Sequence, residues 1–220
     1  MHCSFTIDHY KEIIELARDK GYAIIKVKDY GNENPFKKGV ILLRHDIDWS
    51  LEYAYELANI EYDLGVKSSY YVYLHSGTYN ALAPESMKMI KEMNDMGHEI
   101  GLHYDSRYDD NPTDFDCKTV TQHWPASNQK LNLNILDPND LPIKYISDSG
   151  RNWRSKCLCQ HLGKEDKLHV NMHPEWWLSG GIDRWDAVNK MYQSFESRLA
   201  RDVTDIRNML SDYEKEVIAK

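Results

Sequence analysis

At 220 residues the chain is long enough for one larger domain and short for two, and a core of that size holds together without covalent staples. Its 27 Lys and Arg against 35 Asp and Glu leave a formal charge of -8, which argues against a nucleic-acid backbone or an anionic membrane as partner. Four cysteines (Cys3, Cys117, Cys157, Cys159) are too few and too unevenly spread for a secreted disulfide framework, and Cys157 and Cys159 are poorly placed to bridge each other.

Tyr10, Ile13, Ile14 and Ala17 fall at i, i+3, i+4 and i+7 ahead of Gly21, so the spacing predicts an amphipathic helix over 7–20. A strand follows at 22–27. A loop at 32–38 leads into Val40-Ile41-Leu42-Leu43, whose unbroken apolar run predicts a buried strand ending in Arg44-His45-Asp46-Ile47-Asp48. Ser50 caps a predicted helix with Leu51, Ala54, Leu57 and Ala58 on one stripe and a stop at Gly65, and the aromatic run 69–74 reads as strand. Pro84 opens the next helix, which passes through Met87, Ile90 and Met93 to Gly97, and a strand follows over 99–103. From 105 to 166 turn-forming residues dominate, with short strand candidates at 131–136 and 143–147. Strand signal returns at 168–173.

A long helix over 183–219 closes the chain, its apolar stripe running from Trp185 through Tyr192 and Leu199 to Val217 in steps of three and four. About 37 residues of helix would be about 55 Å long. That length lets it either wrap the back of the domain or overhang and pair as a homodimer. Alternating strands and helices predict an α/β fold with a parallel sheet, in a single domain spanning 1–220. No run approaches the length of a membrane span and the start has no basic, then apolar, leader, so a cytoplasmic protein without stable membrane insertion is expected.

Three strand ends carry His and Asp, and sites form at the carboxyl ends of parallel strands. Alternation turns Arg44, Asp46 and Asp48 one way and His45 and Ile47 the other. Two carboxylates so close call for a cation or a shared proton; the rival reading is a solvated acidic loop. His98 and His103 are five apart, unlike the i, i+4 pair of a zinc-binding helix, and on a strand they face opposite ways. His103 then faces the site and His98 is structural. On the later strand His169, Asn171 and His173 share the polar face, with His173 outermost. The segment Tyr145 to Arg154 supplies a fourth strand end.

At these residues the chain resembles the polysaccharide deacetylase-like family, metal-dependent N-deacylases of amino sugars, from about Val40 to Trp177. Arg44-His45-Asp46-Ile47-Asp48 is similar to an Asp-x-Asp form of the family's first motif, found in a branch that deformylates a lipid-linked amino sugar. The resemblance implies Asp46 as catalytic base, Asp48 and His103 as metal ligands and His173 as general acid. Where a second metal histidine is expected, four residues past His103, stands Arg107. Asp105, His123 and His173 are the candidates to complete the shell. An arginine orienting the base is expected at Arg151 or Arg154, with Arg154 preferred. His123, Asp148 and Trp153 are the candidate substrate contacts, His123 being alternatively a surface loop residue.

The resemblance further implies a distorted (β/α) barrel of about seven strands with the long C-terminal helix, and a divalent metal, zinc by preference. The implied activity is hydrolytic removal of an acetyl or formyl group from an amino sugar, or from its nucleotide- or lipid-linked precursor, in surface polysaccharide or lipopolysaccharide biosynthesis. The rival implication takes Arg107 as a sign of lost catalysis, leaving a sugar-binding or scaffolding module of the same fold.

Overall fold

The apolar run at residue 40 becomes β2 (Gly39–Ile47), buried at all nine residues and central to the sheet. The computed structural model describes residues 3–31, 39–105, 117–123 and 138–218; the strand expected at 131–136 and Arg107 lie outside them. One edge of β2 pairs with β7 (Lys167–Met172). The other edge is shared, with β1 (Tyr22–Ile25) beside Gly39–Leu42 and β3 (Ser69–Tyr73) beside Arg44–Ile47. Beyond β3 come β4 (Glu99–Tyr104) and β5 (Val120–Gln122), and beyond β7 comes β6 (Lys144–Ser147). Every pairing is parallel.

The expected strand number is present, but the sheet is a curled half-barrel and not a closed one. Its path ends on β5 and β6, strands of three and four residues, and no pairing joins them among the described residues. Terminal strands so short offer few ladder hydrogen bonds for closure.

The helices begin where the capping residues stand. Thr6 accepts the His9 N–H to start α1 (Ile7–Asp19), Ser50 accepts the Tyr53 N–H to start α2 (Leu51–Asp63), and α3 (Pro84–Asp95) opens on proline. Gly97, at φ 94°, takes the left-handed turn that swings α3 directly into β4. Leu51, Ala54 and Ala58 of α2 and Ile90 and Met93 of α3 form one apolar cluster with Ile47, Tyr70 and Val72 on the outer face of the sheet. Met87, on the expected stripe of α3, is about half exposed instead. A five-residue helix, α4 (Pro174–Leu178), follows β7 and was not expected; one turn is too short to show a period.

The layer between sheet and helices also buries a carboxylate. Glu61 of α2 accepts from Tyr10 (2.5 Å), Ser68 (2.6 Å) and Tyr70 (2.7 Å), and lies 2.9 Å from His45 Nε2. Burial alone would raise its pKa, but His45, then His98 and Ser68, pull it down to about 2. His98 sits on this outer side, its Nδ1 accepting the Ser68 N–H (3.2 Å) and its Nε2 next to the Ala58 carbonyl (3.1 Å), a structural residue as the strand phase predicts.

The chain divides into two compact units, Met1–Leu178 and Ser179–Lys220. The second carries α5 (Arg184–Ile218), the expected long helix, along which Trp185, Tyr192, Leu199, Ile206, Leu210 and Tyr213 are exposed. Among the described residues no helix is long and apolar enough to cross a membrane.

Candidate active site

The concave side of the sheet is polar, and its floor is built by alternation along β3 and β4. Glu99 accepts from Ser69 (2.6 Å) and Thr119 (2.7 Å), and one step up Tyr71 donates to Thr119 (2.9 Å). Gly101 must be glycine here: a Cβ would lie 2.5 Å from the Tyr71 ring and 2.9 Å from the Thr119 carbonyl oxygen. Above the tyrosine, Arg44 Nη2 donates to Asp46 Oδ2 (3.0 Å), and Asn171 Nδ2 donates to the same oxygen (2.8 Å). Burial raises the Asp46 carboxyl, but Arg44, with His103 and His173 behind it, outweighs burial and holds it below the ordinary aspartate value.

At the carboxyl end of β2, Asp48 Oδ1 lies 3.3 Å from His103 Nε2 and 3.4 Å from His123 Nδ1, and the two imidazole nitrogens are 3.1 Å apart. His103 Nδ1 is 3.2 Å from the Thr121 carbonyl, which can only accept, and 2.7 Å from the Thr121 hydroxyl. Nδ1 therefore carries the proton and the Nε2 lone pair faces the cluster, the arrangement a metal-binding histidine needs. Asp48 Oδ1 is buried and accepts no hydrogen bond. A bare carboxylate oxygen facing imidazole nitrogens is the deficit a cation would fill, and these three ligand atoms lie within 4.8 Å of one another. The residues present thus fit a divalent metal. With no ion bound, the imidazolium charge of His103, together with the neighbouring His123 and His173, holds Asp48 well below the ordinary carboxylate range against the upward push of burial.

His173, just past β7, points its Nδ1 at Asp148 Oδ1 (2.6 Å). Asp148 is fully buried and also accepts the His173 N–H (3.1 Å) and Trp177 Nε1–H (2.8 Å), so its carboxylate is fixed on all sides. His173 Nε2 is left facing Asp48 Oδ2 at 3.8 Å. Burial disfavours the imidazolium, but Asp148, then Asp48 and Glu175, overcome it and raise the His173 pKa well above the ordinary histidine value. Glu175 is buried with neither side-chain oxygen hydrogen-bonded, and burial pushes its carboxyl up to about 8 against the pull of His173. Asp48, Trp49, Tyr73, His75, Thr78 and His123 line a cleft of ≈ 320 Å³ over this centre.

Of the residues singled out in the sequence, Asp46, Asp48, His103, His123 and His173 converge. His123, a candidate third ligand or substrate contact, stands beside Asp48 and His103. Arg154 does not converge: it is exposed, and Arg151 lies over the Phe5 ring (5.5 Å), while the guanidinium beside Asp46 belongs to Arg44. Arg44 shares its strand and face with Asp46 two positions on, so strand geometry puts it where a later motif could not. Asp148 holds His173 and is not part of the cleft lining, and Trp153, also outside it, stacks on Phe5 (6.1 Å) and meets Trp177 edge-on (6.2 Å). Asp105 accepts from Tyr73 (3.0 Å). Thr121 carries no signal in the sequence; Glu175 and Trp177 stand in the run 174–177 that follows His173, without an assigned role, and Asn171 is in phase with His173.

No family model matches the chain, and no curated protein or solved structure matches it. The functional reading stands on the residues and their geometry.

Proposed function

We propose that the chain is a metal-dependent amide hydrolase, similar to polysaccharide deacetylase-like enzymes, that removes an acetyl or formyl group from an amino sugar or its nucleotide- or lipid-linked precursor. One observation carries the reading: the Asp46 carboxylate held by Arg44 and the His173 imidazole held by Asp148 flank one Asp48–His103–His123 cluster. Environments that push two titratable groups apart assign a base and an acid.

Asp48, His103 and His123 would hold the metal, zinc by preference; when bound it supplies Lewis acidity that lowers the pKa of a water molecule and draws charge from the acyl oxygen. Asp46 takes the proton of the attacking water. Arg44 and Asn171 both occupy its Oδ2, which leaves Oδ1, with only a 3.4 Å contact from Thr121, to receive that proton. His173 Nε2 delivers a proton to the departing amine, which would otherwise leave as a poor anionic group. Asp148 keeps that imidazolium charged and aimed. Trp49, in the cleft lining, offers a flat face on which a sugar ring can rest.

The half-barrel supports kinship with the distorted (β/α) barrels of that family. The exposed apolar residues of α5 support pairing of two copies through that helix. The rival reading, a silent sugar-binding module, leaves the Asp46–Arg44 and His173–Asp148 pairs without work. Acyl release is the test: metal-loaded protein frees formate or acetate from an N-acylated amino sugar, and Asp46→Asn abolishes release while fold and metal content stay. Near-normal turnover in Asp46→Asn overturns the assignment of the base. Sugar binding without release across N-formyl and N-acetyl substrates favours the module.

A further inference from the structure

Three cysteines and a histidine that the hydrolytic site does not use meet elsewhere in the first unit. Cys3 precedes α1, His9 lies in its first turn, and Cys157 and Cys159 belong to the 3-10 turn between β6 and β7. Their three sulfurs and one imidazole nitrogen lie within 4.8 Å of one another. Cys3 Sγ and Cys159 Sγ are 3.5 Å apart, and His9 Nε2 is 3.4 Å from Cys157 Sγ. We propose that these four side chains bind a structural zinc ion in a closed tetrahedral site of three thiolates and one imidazole.

The separations suit it. With Zn–S near 2.3 Å and Zn–N near 2.0–2.1 Å, a regular tetrahedron has edges of about 3.8 Å between sulfurs and about 3.5 Å from sulfur to nitrogen. The cysteines are free thiols, and 3.5 Å is far longer than a sulfur–sulfur bond of about 2.05 Å.

The surrounding groups are those a thiolate site uses. His9 Nδ1 is 3.1 Å from Glu12 Oε2, a carboxylate that only accepts, so Nδ1 carries the proton and the Nε2 lone pair faces the sulfurs. The i, i+3 spacing of α1 and the Thr6 cap fix that pairing. Gln160 Nε2 donates to Cys3 Sγ (3.4 Å), as an amide does to a metal-bound thiolate. With all four positions filled by protein there is no open place for substrate, and soft sulfur ligands select zinc over magnesium or calcium.

The ion would staple the start of the chain to a turn 148 residues away. It also braces the hydrolytic site: the His9 ring stacks at 6.3 Å on Trp177, whose Nε1–H holds the Asp148 carboxylate behind His173. As the ion binds, the three thiols give their protons to solvent.

Cobalt(II) reads the site without reference to catalysis. Chelator-stripped wild-type protein reloaded with Co(II) should show the near-ultraviolet thiolate-to-cobalt absorption with visible bands of tetrahedral cobalt. A His103→Ala/His123→Ala variant should keep that absorption, and Cys157→Ser/Cys159→Ser should lose it together with one equivalent of zinc in the protein as purified. No thiolate absorption in the cobalt-loaded wild type, unchanged zinc in the cysteine variant, or a Cys3–Cys159 disulfide in freshly purified protein would each overturn the proposal. If the cysteine variant fails to fold, the wild-type spectrum alone decides. None of these readouts depends on amide hydrolysis, so failure here leaves the proposed function standing, and the converse holds.

Discussion

Replacing Glu61 by glutamine keeps the shape of a fully buried side chain and removes its charge. Four groups lean on that charge: Tyr10 and His45 at one oxygen, Ser68 and Tyr70 at the other. The amide keeps only one oxygen to accept and presents an NH2 to the remaining donors. The carboxyl falls from 4.5 to about 2 in the fold, and at about 1.4 kcal/mol per pKa unit that difference is worth about 3 kcal/mol. Because the folded value is depressed, this stabilisation is complete above pH 4.5 and is lost as pH falls through about 2. Glu61→Gln should therefore lower stability by about 3 kcal/mol at pH 7, a fall in Tm of about 6–12 °C for a chain of this size. At pH 3 the deficit should shrink to about half. Urea unfolding of both proteins at the two pH values, with unchanged m, is the assay. An unfolding free energy within about 0.5 kcal/mol of wild type at pH 7, or a deficit that grows on acidification, would show that the buried charge does not stabilise the fold.

Asp148→Asn takes away the carboxylate that keeps His173 charged, so acyl release should fall about 10²–10⁴-fold. Since Asp148 raises the His173 pKa, the variant loses the acid's proton at lower pH, and the alkaline limb of its pH–rate profile should move down; an unmoved limb would show that His173 is not the acid. Arg154→Ala, at an exposed position, should release acyl groups at the wild-type rate. Arg44→Ala should lose release and cost about 3–5 kcal/mol in thermal or urea unfolding, because it strands the buried Asp46 charge.

Much of the site was legible because strands alternate. Period two alone placed Arg44, Asp46 and Asp48 on one face, Glu99, Gly101 and His103 on another, and His169, Asn171 and His173 on a third, and the parallel order of β2, β3, β4 and β7 turned all three inward. The helix 184–218 was legible from an apolar stripe sustained over 35 residues. What stayed hidden depends on contacts between distant segments. β5 is three residues long and has no period to detect, so His123, the residue after its end, had no assigned place beside His103. The family resemblance points to Arg151 or Arg154 as the arginine beside Asp46, although Arg44 shares the strand face of Asp46 and is the one that contacts it. The cysteines were weighed only as disulfide partners, because nothing near Cys157 in the sequence announces His9.

The central claim is that Asp48, His103 and His123 hold a catalytic cation. Metal content and acyl release measured on the same preparations of wild type and His103→Ala/His123→Ala test it most directly. The variant should carry one equivalent less metal than wild type and release no formate or acetate. A variant with wild-type metal content, or with wild-type release, would contradict it.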